Sequence, residues 1–360
     1  MQSDSPFYKV YYQWWKNIDK SILILISLFF IIGLFFSLVS TSLIASDRLN
    51  TNSYFFFFKH LIYVLIGGLI IFIFSSFKTD QLLRYSIFLF FIALIFLFLV
   101  PIIGVEVKGS KRWIDLFFLP RFQPIELLKP FLIIIIATIL CSNKINIISK
   151  YFFSVILISA VSLLLIIQPD IGQTILVVLS WAILIFTSGI NIYFFLGIFI
   201  LFSFLISYLI IYVPKFEYIQ RRIISFFDRE TGTHNFQSDK AIESITSGGF
   251  FGKGIGEGTL KNKVPEAHTD YIISVISEEF GVVAIILILL LFLIFIYMVF
   301  KKISFETNNK IKLILIGSIS LILIQATIHI GVNIRLLPTT GMTLPFLSYG
   351  GSSIISTALI

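Results

Sequence analysis

Glu266, His268 and Asp270 alternate along Val264-Pro265-Glu266-Ala267-His268-Thr269-Asp270-Tyr271, where the long polar segment 214–269 runs into an apolar stretch. Ionisable groups at the mouth of an apolar helix suit proton transfer at a boundary between lipid and water. Helix capping is the competing reading of Asp270, because unpaired N–H groups and the macrodipole favour an acid at a helix start. The same field lowers an acid's pKa and keeps it ionised, ready to accept a proton. Glu278 and Glu279 follow about two turns deeper. A carboxylate inside a membrane helix is costly, so at least one of them should face a polar cavity or a partner.

A second set lies in Lys111-Arg112-Trp113-Ile114-Asp115 and Gln123-Pro124-Ile125-Glu126-Leu127-Leu128-Lys129-Pro130. Arg112 offers a fork for phosphate oxygens, and Trp113 a flat surface for a sugar or lipid neck. Glu126 and Lys129 are three apart, share a helix face and can pair. Gln168-Pro169-Asp170 falls in a short turn, where Asp170 caps the following helix or lines a site. Two tempting patterns carry less. The glycine-rich segment 248–258 lacks the Lys-Ser/Thr end and the strand–turn–helix setting of a nucleotide loop, which leaves backbone N–H groups able to approach an anion. His60, His234, His268 and His329 have no zinc-ligand spacing, and no Ser-His-Asp set is visible.

The elements that hold these residues are apolar. Of 360 residues, 58% are hydrophobic and 13% charged, and the mean hydropathy is +1.00. This excludes a soluble globular composition. Apolar runs fall near 21–45, 54–77, 84–103, 124–141, 149–168, 171–188, 190–213, 269–300, 310–334 and 345–360. They lack the strict alternation of membrane barrel strands and are expected to be helices. The expected fold is one all-α integral membrane domain over 1–360, with about ten spans and a large outer loop, 214–269, between the seventh and eighth. The first run is a retained helix, not a signal peptide, and the chain is expected to end inside its last helix. The single cysteine, Cys141, excludes an internal disulfide. The segment 237–247, with Ala241, Ile242 and Ile245 at helical spacing, reads as a short amphipathic helix at the membrane interface.

The net charge of +8 matters less than its distribution. Lys9, Lys16, Lys20, Lys78, Arg84, Lys144 and Lys150 fall on the N-terminal side of the membrane, against Arg48 in the shortest opposite loop. The rule of cytoplasmic positive charge places both termini in the cytoplasm. Tyr11-Tyr12-Gln13-Trp14-Trp15-Lys16 reads as an interfacial aromatic belt. Two outer segments oppose the bias: 104–123, with Lys108, Lys111, Arg112 and Arg121, and 214–269, with Arg222, Arg229, Lys253, Lys261 and Lys263 among others. Headgroup contact is one explanation. An outward-facing anionic site that both loops help to line, not one for nucleic acid, is the sharper one.

In order along the chain, Lys111-Arg112-Trp113-Ile114, Gln123-Pro124-x-Glu126-x-x-Lys129, Gln168-Pro169-Asp170-x-Gly172 and Pro265-Glu266-Ala267-His268-Thr269-Asp270 resemble the motifs of the SEDS family (shape, elongation, division and sporulation). The stretch 337–353, from Leu337-Pro338-Thr339-Thr340-Gly341 to Ser348-Tyr349-Gly350-Gly351-Ser352-Ser353, agrees. The resemblance covers roughly the whole chain, and Ala267, Phe58-Lys59-His60 and Thr340-Gly341-Met342-Thr343-Leu344-Pro345 favour the cell-division branch over the elongation branch. Departures are Ile125, where the family has a small residue, and Arg335.

The resemblance implies a glycosyltransferase that polymerises lipid II into glycan strands at the outer face of the bacterial cytoplasmic membrane, at the division septum. It implies a class B penicillin-binding protein (a transpeptidase) and other division proteins of the membrane as partners. Asp270 is then the general base on the acceptor sugar hydroxyl. Arg112 and Lys129 stabilise the leaving diphosphate, and Trp113, Gln123, Glu126, Gln168, Asp170, Glu266, His268, Ser348 and Ser352 line the substrate. No organic cofactor is implied; a divalent cation, Mg2+ or Mn2+, with Asp270 as the available ligand, is compatible. The rivals are a flippase for lipid-linked precursors, an elongation polymerase and a non-catalytic division scaffold.

Overall fold

A computed structural model of the chain describes residues 6–49, 54–107, 110–116, 119–227, 236–260, 264 and 266–360. Lys108, Arg229, His234, Lys261, Lys263 and Pro265 lie outside the described residues. The first half holds α1 (Pro6–Asn17), α2 (Lys20–Leu49), α3 (Phe55–Ser76), α4 (Thr79–Ile103), three strands, α5 (Pro124–Leu140), α6 (Ile147–Ile167) and α7 (Ile171–Thr187). After them come α8 (Ile192–Tyr212), α9 (Glu217–Phe227), α10 (Phe236–Gly248), α11 (Ile272–Phe305), α12 (Asn309–Asn333) and α13 (Gly351–Leu359).

Each apolar run thus contains a helix, as expected where backbone groups have no water to bond. Seven of them (α2, α3, α4, α6, α8, α11 and α12) are long and apolar enough to cross a membrane. The others are shorter: α5 and α7 have 17 residues each and α13 has 9. The protein is a polytopic, predominantly helical membrane protein.

Two local expectations change. The segment 104–123 is no bare loop but a small antiparallel sheet of β1 (Val105–Val107), β2 (Ser110–Leu116) and β3 (Leu119–Phe122), in that order. In β2 the pleat buries Ile114 and exposes Lys111 and Asp115, the alternation a half-buried strand requires. The second change is in α11, which breaks at Gly281, where φ is 74°.

Contacts divide the chain into two compact units. The first comprises Met1–Ile135, Ile286–Glu306 and Pro345–Ile360. Its core gathers Phe29, Phe292, Phe295 and Phe346, with Phe29 stacked on Phe346 at 5.3 Å. That burial holds Phe346 in the left-handed region, φ 66°, which an L side chain otherwise avoids at a cost of about 1–2 kcal/mol. Asp19 caps α2 by accepting from the Ser21 and Ile22 N–H groups and pairs with Lys302 at 2.6 Å.

The second unit comprises Ile136–Ile285 and Thr307–Leu344. Here α7 lies between α6 and α12. The amphipathic segment 237–247 does form a helix, α10, but its buried stripe is Ser238, Ala241, Ser244 and Gly248, facing α11. A Cβ on Gly248 would stand 1.9 Å from the Ser277 carbonyl oxygen. Small residues let two helix backbones meet this closely.

Candidate functional site

Asp270 sits in the tight turn before α11. Glu266 adopts φ 55° there, and its carbonyl accepts from the N–H groups of Thr269, Asp270 and Tyr271 at 3.1, 3.1 and 3.3 Å. Thr269 Oγ1 donates to the Glu266 side chain at 3.3 Å. Glu266, His268, Thr269 and Asp270 are half-buried, whereas Ala267 and Tyr271 are buried. Asn333, fully buried at the end of α12, supplies a cap from outside the turn: its Oδ1 accepts from Ser274 N–H at 3.3 Å. Its Nδ2 donates to the Asp270 carbonyl at 3.0 Å and to the His329 carbonyl at 2.9 Å. Asn333 therefore fixes both the helix start and the backbone that carries the acid.

The loop 338–344 lies against this turn. A Cβ on Gly341 would stand 3.4 Å from Asp270 Oδ2, so glycine (φ 70°) lets the backbone run beside the carboxylate. The loop's carbonyls are held one by one. Arg222 Nη1 donates to Thr339 at 3.3 Å, His329 Nδ1 lies 2.7 Å from the Met342 oxygen, and Gln325 Nε2 donates to Thr343 at 3.0 Å. From the other side, a Cβ on Gly172 would meet Thr340 and Met342 at 2.9 and 3.0 Å. Asp170 caps α7 by accepting from Gln173 N–H at 3.4 Å, and Gln168 is buried where α6 ends. The Gln168-Pro169-Asp170-x-Gly172 motif thus shapes the wall that supports the loop beside Asp270. Burial, and then the charge of Asp270, push the Tyr271 phenol above its ordinary range, while Arg222 pulls the other way. The phenol therefore feels both the acid and the guanidinium.

Glu278 and Glu279 have a different environment. Both are almost fully buried. Glu278 accepts from Ser244 Oγ and Leu260 N–H at 2.9 Å each, and Lys253 Nζ lies 3.5 Å away. Glu279 accepts from the Gly256 N–H. The glycine-rich loop reaches them by entering the break in α11. Lys253 and Gly254 N–H donate to the carbonyls of Glu278 and Glu279, and the carbonyls of Gly249 and Phe250 accept from Val282 and Val283. A Cβ on Gly252 or Gly281 would fall about 2 Å from that backbone. The loop's N–H groups do approach an anion, and it is the protein's own pair of carboxylates.

The remaining candidates belong to the first unit. Arg112 shares the face of β2 that buries Ile114 and is half-buried; Trp113 pairs across to Val105. Glu126 and Lys129 form the expected ion pair, at 2.8 Å and with side-chain exposures of 5% and 0%. Lys129 is therefore already neutralised inside the protein, whereas the Arg112 side chain is half-buried. Gln123 N–H donates to Ser352 Oγ at 3.1 Å, joining the start of α5 to α13, and Ser348 is buried nearby in sequence.

Among the described residues, no group of three or more His, Cys, Asp or Glu side chains could hold a metal ion. Sequence reasoning overlooked Asn333, His329 and Gln325 as supports, although polar groups at the end of an apolar helix are such a signal. It noted Arg335 only as a departure from the family pattern. Arg335 pairs with Asp239 of α10, tying that helix to the end of α12.

A family model described as a cell cycle protein and covering FtsW, RodA and SpoVE matches residues 19–360. The chain is 30% identical over 358 residues to the probable peptidoglycan glycosyltransferase FtsW of Caulobacter vibrioides, covering 96% of this chain and 88% of that one. Its fold is similar to the rod shape determining protein RodA of Thermus thermophilus, with a TM-score of 0.69, 25% identity and coverage of 96% and 94%. A chain of a peptidoglycan synthase complex that coordinates polymerization and crosslinking shares the fold at a TM-score of 0.77, over 95% of each chain and with 23% identity.

Proposed function

The chain belongs to the FtsW/RodA/SpoVE family of cell cycle proteins, and from that premise we propose that it polymerises lipid II at the outer face of the cytoplasmic membrane. The observation that carries the reading is Asp270: a half-buried carboxylate on a turn whose backbone is fixed by Glu266 and Asn333. Held this way, it can take the proton of the acceptor sugar hydroxyl as that oxygen attacks the anomeric carbon of the donor. The bond from that carbon to the donor diphosphate breaks, and the diphosphate leaves with the electron pair. Arg112 is the cation of the first unit suited to the charge that gathers there.

A divalent cation fits only if the substrate completes its shell, because one carboxylate cannot. Asp270 would hold it together with substrate phosphates and water, and it would neutralise charge on the leaving group. The likeness to FtsW, by name a probable peptidoglycan glycosyltransferase, supports the division role over that of an elongation polymerase. The likeness in fold to a synthase complex that couples polymerization with crosslinking supports a class B penicillin-binding protein as partner.

The test supplies lipid II to the outer face of proteoliposomes holding this chain with its transpeptidase and measures glycan strands. The parent should make polymer and Asp270→Ala none, with insertion unchanged. A flippase or scaffold makes no polymer in either case.

A further inference from the structure

The tip of the glycine-rich loop is apolar, and the reaction as described does not use it. Phe250 and Phe251 are 75% and 83% exposed, the latter the highest value of any large apolar side chain among the described residues. Gly249 and Gly252 flank the pair with φ of 58° and 80°. The Gly252 N–H closes the turn on the Gly248 carbonyl at 2.9 Å. The turn is pinned to α11 on both sides. Val282 and Val283 N–H donate to the Gly249 and Phe250 carbonyls at 3.0 and 3.2 Å, and Lys253 and Gly254 N–H donate to the Glu278 and Glu279 carbonyls at 2.9 and 3.1 Å. Two phenylalanines held in the open by a fixed backbone are costly in water.

The helix that pins the turn also sets its depth. Residues 282–300 carry no charge and lie between Glu278-Glu279 and Lys301-Lys302. A run of about 20 apolar helical residues matches the thickness of a hydrocarbon core. One edge of that core therefore falls at Gly281, where α11 breaks. Just inside this edge, Val282 and Val283 are 37% and 39% exposed, a surface suited only to acyl chains. The Phe250-Phe251 turn, bonded to those two residues, continues the same surface at the boundary where aromatic rings are favoured. We propose that the turn 249–252 is a membrane anchor, with Phe250 and Phe251 inserted between the headgroups and acyl chains of the leaflet on the Asp270 side. Glu278 and Glu279, buried under the loop, then tie the anchor to the helix that begins just after Asp270. The contact is apolar, so it takes bilayer lipid of any headgroup. It requires only that α11 crosses a membrane, and it stands whatever reaction Asp270 performs.

The experiment places a nitroxide at Phe251→Cys in the full chain, with Cys141→Ser removing the single native thiol, in phosphatidylcholine liposomes. Collisions are measured with oxygen, which concentrates among acyl chains, and with a water-soluble nickel chelate. The ratio of oxygen to nickel collisions should be several-fold higher than for a nitroxide carried on the lipid headgroup in the same liposomes. It should correspond to a depth of about 5–10 Å into the boundary between headgroups and acyl chains. Phe250→Cys reports on the same turn, and it decides the matter where thermal unfolding shows that Phe251→Cys fails to fold. A ratio at or below the headgroup value places the turn in water and overturns the proposal. Suppression of both kinds of collision overturns it too, because the turn is then covered by protein, whether by this chain or a second copy.

Discussion

Two acidic sites, one in the turn before α11 and one within its first turns, differ in what surrounds the charge. Glu278 and Glu279 are buried, and their oxygens accept from Ser244, Leu260 and Gly256. Asp270 is half-exposed, and here the bonds that matter run to the backbone that carries it. Burying a carboxylate is tolerable only when hydrogen bonds replace its water, so the deeper pair is scaffolding that holds the glycine-rich loop in the break of α11. At Asp270 the protein fixes the position of a carboxylate and leaves it approachable. Similar side chains, about two turns apart, are set to different tasks by what lies around them.

The comparison can be broken most forcefully at Glu278. Glu278→Ala leaves Leu260 N–H and Ser244 without their acceptor and should destabilise the fold by about 3 kcal/mol. The unfolding midpoint should fall clearly, while the folded fraction keeps its rate per molecule. A stable Glu278→Ala protein without polymerase activity would move chemistry to the deeper acid and invert the comparison.

Asn333 sharpens the contrast. Asn333→Ala removes the bonds to Ser274 and Asp270 and should cost about 1–2 kcal/mol. It should also lower polymerisation about tenfold or more, because small displacements of a base are expensive. The loss should appear in kcat, with KM for lipid II little changed. A fall in KM-dependent rate alone would make Asn333 a substrate contact.

The smallest effect belongs to the first unit. Lys302 beside Asp19 holds that carboxyl below its ordinary range. A group depressed in the folded state stabilises above its unfolded value, about 4, and loses that contribution as pH falls through its folded value. The pair is partly exposed, so less than about 1 kcal/mol is at stake. Asp19→Asn should flatten the unfolding midpoint between about pH 5 and pH 3. An unchanged pH slope would show that Lys302 does not depress the group.

Much of this was legible in the sequence for physical reasons. Continuous apolar runs leave helices as the one way to pair the backbone, and each of the ten runs contains a helix, seven of them long enough to cross a membrane. Spacing gave the Glu126–Lys129 pair and the helix over 237–247, and capping was one of the two readings its turn position left open for Asp170. The sheet over 104–123 was missed because its strands are short and β2 alternates over only a few residues. The sequence shows the glycine-rich loop only as able to approach an anion, because no local pattern reveals that Gly281 breaks α11 and admits it. Arg335 found its meaning in Asp239, nearly a hundred positions earlier. The support that Asn333, His329 and Gln325 give to the Asp270 turn depends on long-range contacts that periodicity does not encode.

The central claim is that Asp270 performs chemistry while Glu278 holds structure. Its most direct test measures, on the same purified samples with lipid II and the partner transpeptidase, both glycan yield and unfolding midpoint for Asp270→Asn and Glu278→Gln. The account predicts that Asp270→Asn makes no polymer at an unchanged midpoint, while Glu278→Gln unfolds earlier and still polymerises below that temperature. Polymer at the parental rate from Asp270→Asn would contradict it.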